Sequence, residues 1–128
     1  MHHLESIHTD GAPAAIGPYS QACVAGGFLF TAGQIGLNPE VGELVGPGIN
    51  EQAYRVFVNL RAVLEAAGVG FGDVVKTTVY VADMADFAEL NAIYAEHFTE
   101  PYPARSTIEA GSLPMGAKVE IDVIARLP

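Results

Sequence analysis

The feature that most constrains this chain is a change of hydrophobic period near residue 68. Ala53, Val56, Phe57, Leu60, Val63, Leu64 and Ala67 recur at intervals that place them on one stripe of an α-helix. Asn50 reads as the N-cap, Glu51 as a first-turn acid, and Gly68 as the left-handed residue that ends such a helix. Beyond a short glycine-rich link the period changes. From Val74 to Val81, Val75, Thr77, Val79 and Val81 fall on one face of a strand, and Val74, Lys76, Thr78 and Tyr80 on the other. The linking glycines Gly70 and Gly72 follow a helix and precede a strand, the reverse of a dinucleotide-binding turn.

The same reading extends outward. Apolar residues from Gln21 to Ala32 around Gly26-Gly27 predict a β-hairpin, and Gly33 to Gly48, with Asn38-Pro39, predicts a surface loop. Asp83 or Asp86 can cap a second helix with Phe87, Leu90, Ile93, Tyr94 and Phe98 along one side, closed by Pro101 and Pro103. Two further strands, Ser106 to Ala110 and Lys118 to Ala125, flank the turn residues of Gly111 to Gly116.

The 128 residues, half of them apolar, are expected to form a single domain spanning 1–128. Its class is α+β, two-layered, with both helices on one face of the sheet. The other face, carrying Val74, Thr78, Tyr80 and Ile124, would then stand half-apolar in water, so a homo-oligomer is expected.

Charge and composition remove several function classes. Six Lys and Arg against fifteen Asp and Glu give a net charge of −9, which repels a phosphate backbone, so nucleic acid is not an expected partner. No apolar run approaches the roughly 20 residues that cross a bilayer. One cysteine and no export signal point to the cytoplasm. Cys23 itself reads as a small buried hydrophobe rather than a nucleophile. His2, His3, His8 and His97 lack the spacing of a metal site, and no nucleophile elbow, P-loop or glycosidase acid pair stands out. Neither metal nor cofactor is expected.

Candidate chemistry gathers late in the chain. The pleat places Arg105, Thr107 and Glu109 on one side of their strand, and Glu120, Asp122 and Ile124 on one side of the last, with both Arg105 and Glu120 off the purely apolar face. A guanidinium offers a planar fork for a carboxylate, so Arg105 is a candidate carboxylate clamp. The alternative is a structural Arg105–Glu120 ion pair, or two solvated charges, and spacing alone does not choose between them. Glu120 can orient a water or exchange a proton. Asn91 falls on the apolar side of the second helix with Tyr94 one turn on, a ligand contact or a packing residue beside a core aromatic.

These segments also resemble a known family. Ala12-Pro13-Ala14-Ala15-Ile16-Gly17-Pro18-Tyr19-Ser20-Gln21 is similar to the opening signature of the RidA (YjgF) family. Thr31-Ala32-Gly33-Gln34-Ile35, the run from Asn59 to Gly68, Asp73 to Val79, Pro103-Ala104-Arg105-Ser106 and Val119-Glu120-Ile121 follow in the same order. The resemblance implies a chorismate-mutase-like fold and a homotrimer with ligand clefts between subunits. It implies hydrolysis of reactive 2-imino acids, such as 2-iminopropanoate and 2-iminobutanoate, to 2-oxo acids and ammonia.

Position by position, it makes Arg105 the carboxylate-binding residue and Glu120 the acid that positions water. Tyr19 and Asn91 become cleft-lining residues, and Gly33 and Thr107 places where backbone groups approach the ligand. It also implies that another strand separates the segments of Arg105 and Glu120, which then meet across a subunit boundary. Ala32 and Thr107 stand where members often have serine and cysteine. A non-catalytic sensor of 2-oxo acids is the alternative from another class. A nuclease or translation inhibitor, also attached to relatives, conflicts with the acidic charge.

Overall fold

The computed structural model describes residues 4–128, so His2 and His3 lie outside the described residues. Eight strands and two helices run in the order β1 (Glu5–Ile7), β2 (Ala22–Ala25), β3 (Phe28–Thr31), β4 (Leu37–Asn38), β5 (Glu43–Leu44), α1 (Ile49–Ala66), β6 (Val74–Val81), α2 (Phe87–Ala95), β7 (Ala104–Glu109) and β8 (Val119–Arg126). Six of the strands form one sheet in the order β1-β2-β3-β8-β6-β7. Among the described residues only β6 and β7 pair in parallel, through the crossover made by α2, so the sheet is mixed.

The apolar stripe of α1 packs on one sheet face. Val56, Phe57, Leu60, Val63 and Leu64 are buried against Val79, Val119, Ile121 and Val123, and Leu90 and Ile93 of α2 join them. Each such side chain contributes about 1.5–3 kcal/mol when fully buried. The hairpin at Gly26-Gly27 forms with φ of +59° and +83°, the pair of positive values that a two-residue turn between twisted strands requires.

Several expectations are corrected. α1 begins one residue before Asn50: Gly48 is the N-cap, and Glu51 accepts its backbone N–H at 2.9 Å, so the acid rather than Asn50 closes the first turn. Gly68 does end the helix, at φ +80°. Of the two candidate caps, Asp83 accepts the Ala85 N–H at 2.9 Å, and a single 3₁₀ turn (Met84–Asp86) leads into α2. Phe98 is buried beyond the end of that helix.

A register shift between Val74 and Lys76 flips the start of β6, burying Val74 and exposing Val75. The segment 33–48 is not wholly a surface loop. Gln34, Ile35 and Gly36 are buried, a Cβ on Gly36 would strike the backbone of Gln52, and β4 and β5 form a small ribbon. Strand β1 has no counterpart in the sequence reading.

Among the described residues, no helix covers the second sheet face. Tyr80, Thr78, Glu120 and Asp122 lie on it half-buried, with Phe28, Phe30 and Ile108 exposed beside them. No helix among the described residues is long and apolar enough to cross a membrane.

Candidate functional site

Arg105 sits on β7, the last strand of the sheet. Its parallel partner across β6 is Thr77, so the two share a face, and that face is the one covered by α2. The sequence reading placed Arg105 off the apolar face. It lies on the helix side instead, and escapes burial only because β7 is an edge. The guanidinium donates from one terminal nitrogen to Asn91 Oδ1 at 2.7 Å, and its carbon lies 4.7 Å from the centre of the Tyr94 ring and 5.2 Å from that of Phe87. A cleft of about 450 Å³ opens there, lined by Asn91, Tyr94, Ala95, Tyr102, Pro103 and Arg105.

Tyr94 is itself anchored: its hydroxyl is 2.9 Å from that of Thr77, which is fully buried. The far end of β7 is also held, because Glu109 accepts the Met84 N–H at 2.9 Å. Thr107 lies between these anchors, half-buried on the same side of the strand and outside the lining of this cleft.

Glu120 occupies the opposite face. It pairs with Tyr80 across β8 and β6 and rises into a cleft of about 200 Å³ with Pro13, Ile16, Tyr19, Gly33 and Met115 among its walls. Gly33 is required by close approach, since a Cβ there would overlap the Glu120 carboxylate. Burial pushes the Glu120 carboxyl above its ordinary range, and the Asp122 charge adds to the rise. Asp122 is raised by burial too, against the lowering effects of Lys76 and of a hydrogen bond from Thr78.

The N-terminal wall of this cleft is fixed by one side chain. Gln21, 2% exposed, donates to the carbonyls of Thr9, Ala12 and Pro13 and accepts the Thr9 N–H at 2.7 Å. Tyr19 stands at the rim, about half exposed.

The six residues singled out by sequence therefore divide. Tyr19, Gly33 and Glu120 come together in one cleft, and Asn91 and Arg105 in another, while Thr107 stands apart from both. An Arg105–Glu120 ion pair within one chain is excluded, because β6 separates their strands and they project from opposite faces. Sequence reasoning missed Phe87 as a ring beside Arg105 and treated Tyr94 as core alone. Both recur on the α2 face that also carries Asn91, and that spacing was the available signal. His97, weighed as a metal ligand, stacks on Phe57 at 4.0 Å and bonds the Ile93 carbonyl.

Fold and geometry together define a two-layer α+β protein with a small-molecule-sized cleft on each side of its sheet, one organised by an arginine and the other by a carboxylic acid. Residues 9–127 match the family described as endoribonuclease L-PSP. A RutC family protein from Pyrococcus horikoshii is 51% identical over 94% of this chain and 96% of its own length. A mouse protein named 2-iminobutanoate/2-iminopropanoate deaminase is 48% identical over 93% of this chain and 88% of its own. The crystal structure of RidA from a Psychrobacter species superposes with a TM-score of 0.91 at 45% identity, covering 96% of this chain and 99% of that one. The chain belongs to this family, the group that holds the RidA (YjgF) and RutC proteins.

Proposed function

We propose that the protein is a deaminase that hydrolyses 2-imino acids, 2-iminopropanoate and 2-iminobutanoate among them, to 2-oxo acids and ammonia. The observation that carries this reading is the state of Arg105. One terminal nitrogen is engaged by Asn91 and the face rests against Tyr94, which leaves the rest of the guanidinium fork to meet a carboxylate at an open cleft. The mouse relative's name supplies the reaction class.

The chemistry asks little more of the protein. Water adds to the imine carbon, the resulting carbinolamine loses ammonia, and the oxo acid remains. A carboxyl group whose proton affinity is raised by burial accepts the proton of the attacking water and returns it to the leaving nitrogen. Glu120 fills that role. Tyr19, Gly33 and the backbone near Thr107 then shape the pocket around the substrate. Because Arg105 and Glu120 leave opposite faces of one sheet, the complete site is formed between protomers of a homotrimer whose inner surface is the helix-free sheet face. A net charge of −9 gives no support to the ribonuclease activity in the family's description.

Ammonia release from freshly generated 2-iminobutanoate tests the reading. In Arg105→Ala the enzymatic rate should fall about a hundredfold or more, with the assembly intact by light scattering. An unchanged rate rejects the clamp. Oxo-acid binding by the wild type, with no acceleration of imine loss over buffer, would identify a sensor instead.

A further inference from the structure

Arg105 is a long side chain on an exposed edge strand, a position where a guanidinium ordinarily samples many rotamers. Here it meets an ordered surface, and the origin of that order can be traced. The Tyr94 ring under it is 7% exposed and is wedged among Phe57 and Phe98, whose ring centres lie 6.1 and 4.6 Å away. Its hydroxyl is directed to the Thr77 hydroxyl, and Thr77 is the residue in register with Arg105 on the neighbouring strand. The contacts close a circuit from strand β6 through the Tyr94 hydroxyl and ring to the guanidinium and back through β7 to β6.

Packing alone does not account for the two hydroxyls. Phenylalanine and valine would fill the same volumes, and replacing both partners of a buried hydrogen bond by apolar groups of the same shape is close to neutral for stability. What the hydroxyl pair adds is direction: it ties the ring to the strand beside Arg105.

We infer that Tyr94, held by Thr77, is a positioning residue that sets the plane of the Arg105 guanidinium and so determines the preference of the cleft for a carboxylate. This rests on the reading of Arg105 as the carboxylate clamp. Asn91 fixes one terminal nitrogen, and the ring fixes the plane; together they leave the fork in one orientation. A neutral ligand of the same shape, which needs no fork, gains nothing from that orientation.

The test compares binding of 2-oxobutanoate with that of 2-oxobutanamide by calorimetry on the assembled protein, alongside ¹⁵N relaxation of the Arg105 Nε–H in the ligand-free state. The double variant Thr77→Val/Tyr94→Phe keeps the packing and leaves no orphaned hydroxyl. Its preference for the acid over the amide should fall about 3- to 10-fold, with Arg105 Nε more mobile. Thr77→Ser, which retains the hydroxyl, should keep the wild-type preference. A double variant with full preference and a rigid Arg105 overturns the positioning role. A wild type with no preference for the acid overturns the clamp itself, and the relaxation data then still decide whether Tyr94 orders the guanidinium.

Discussion

Glu120 is the side chain whose chemistry is most altered by its place in the fold. Burial beside Asp122 raises its folded-state pKa, whereas the unfolded chain leaves it at the ordinary value. Between those two values the folded chain holds more protons than the unfolded one, so the stability associated with the protonated acid is present at low pH and is lost as the pH rises through the raised pKa. Glu120→Gln should therefore raise the melting temperature at about pH 8, and the gain should vanish by about pH 3, below the ordinary carboxylate range, where the carboxyl is protonated in both states. Asp122→Asn should act in the same direction, with Lys76 and Thr78 offsetting part of the effect. Melting curves at both pH values check this; an equal gain at each would show that ionisation of Glu120 is not the cause. The face of Glu120 was legible from simple alternation along β8, since Val119, Ile121 and Val123 are buried opposite it. The company it keeps was not, because Gly33 and Tyr80 reach it through chain crossings that no local period encodes.

At the scale of elements, α1 is more than a cover for the sheet. Two polar residues lie on its buried stripe. Gln52 donates to the Gly46 carbonyl and accepts the Lys118 N–H at the entrance to β8, and Asn59 donates to the carbonyls of Ile35 and Leu37. The helix thereby holds the segment that follows Gly33 and the entrance to the strand that carries Glu120. Asn59 is fully buried, and Asn59→Ala removes its donor from both carbonyls, of which that of Ile35 keeps only the Leu37 N–H. The expected cost is about 1–3 kcal/mol in urea unfolding, with faster amide exchange at Gly36 and Leu37. A loss below about 0.5 kcal/mol would mean that the loop is held by other contacts. Helix α1 and strands β6 and β8 were readable because each is long enough to display a period. Strands β1, β4 and β5, of two or three residues, carry no period, and the bulge that exposes Val75 is imposed by pairing with β8. The sequence likewise showed the apolar side of α1 without its function as a clamp. Gln52 and Asn59 spaced along that side were the visible sign.

Considered as a whole molecule, the chain separates the two groups that the proposed reaction needs together. Arg105 and Glu120 stand on strands with β6 between them, about 10 Å apart by strand spacing alone, and project from opposite faces. The helix-free face with Phe28, Phe30 and Ile108 offers apolar surface for another protomer to cover, which would bring the Glu120 cleft of one chain to the β7 edge of its neighbour. Co-expression of two inactive chains turns this into a count. If every site takes Arg105 from one protomer and Glu120 from the next, a trimer mixed from Arg105→Ala and Glu120→Gln chains contains intact sites wherever an unaltered arginine faces an unaltered acid. Random assembly at equal expression makes about a quarter of all sites intact, so about a quarter of wild-type activity should return, while either variant alone stays inactive. If native mass spectrometry showed mixed trimers and no activity returned, the two residues could not be shared across a boundary in this way, and the site would have to be built by a different pairing of protomer surfaces.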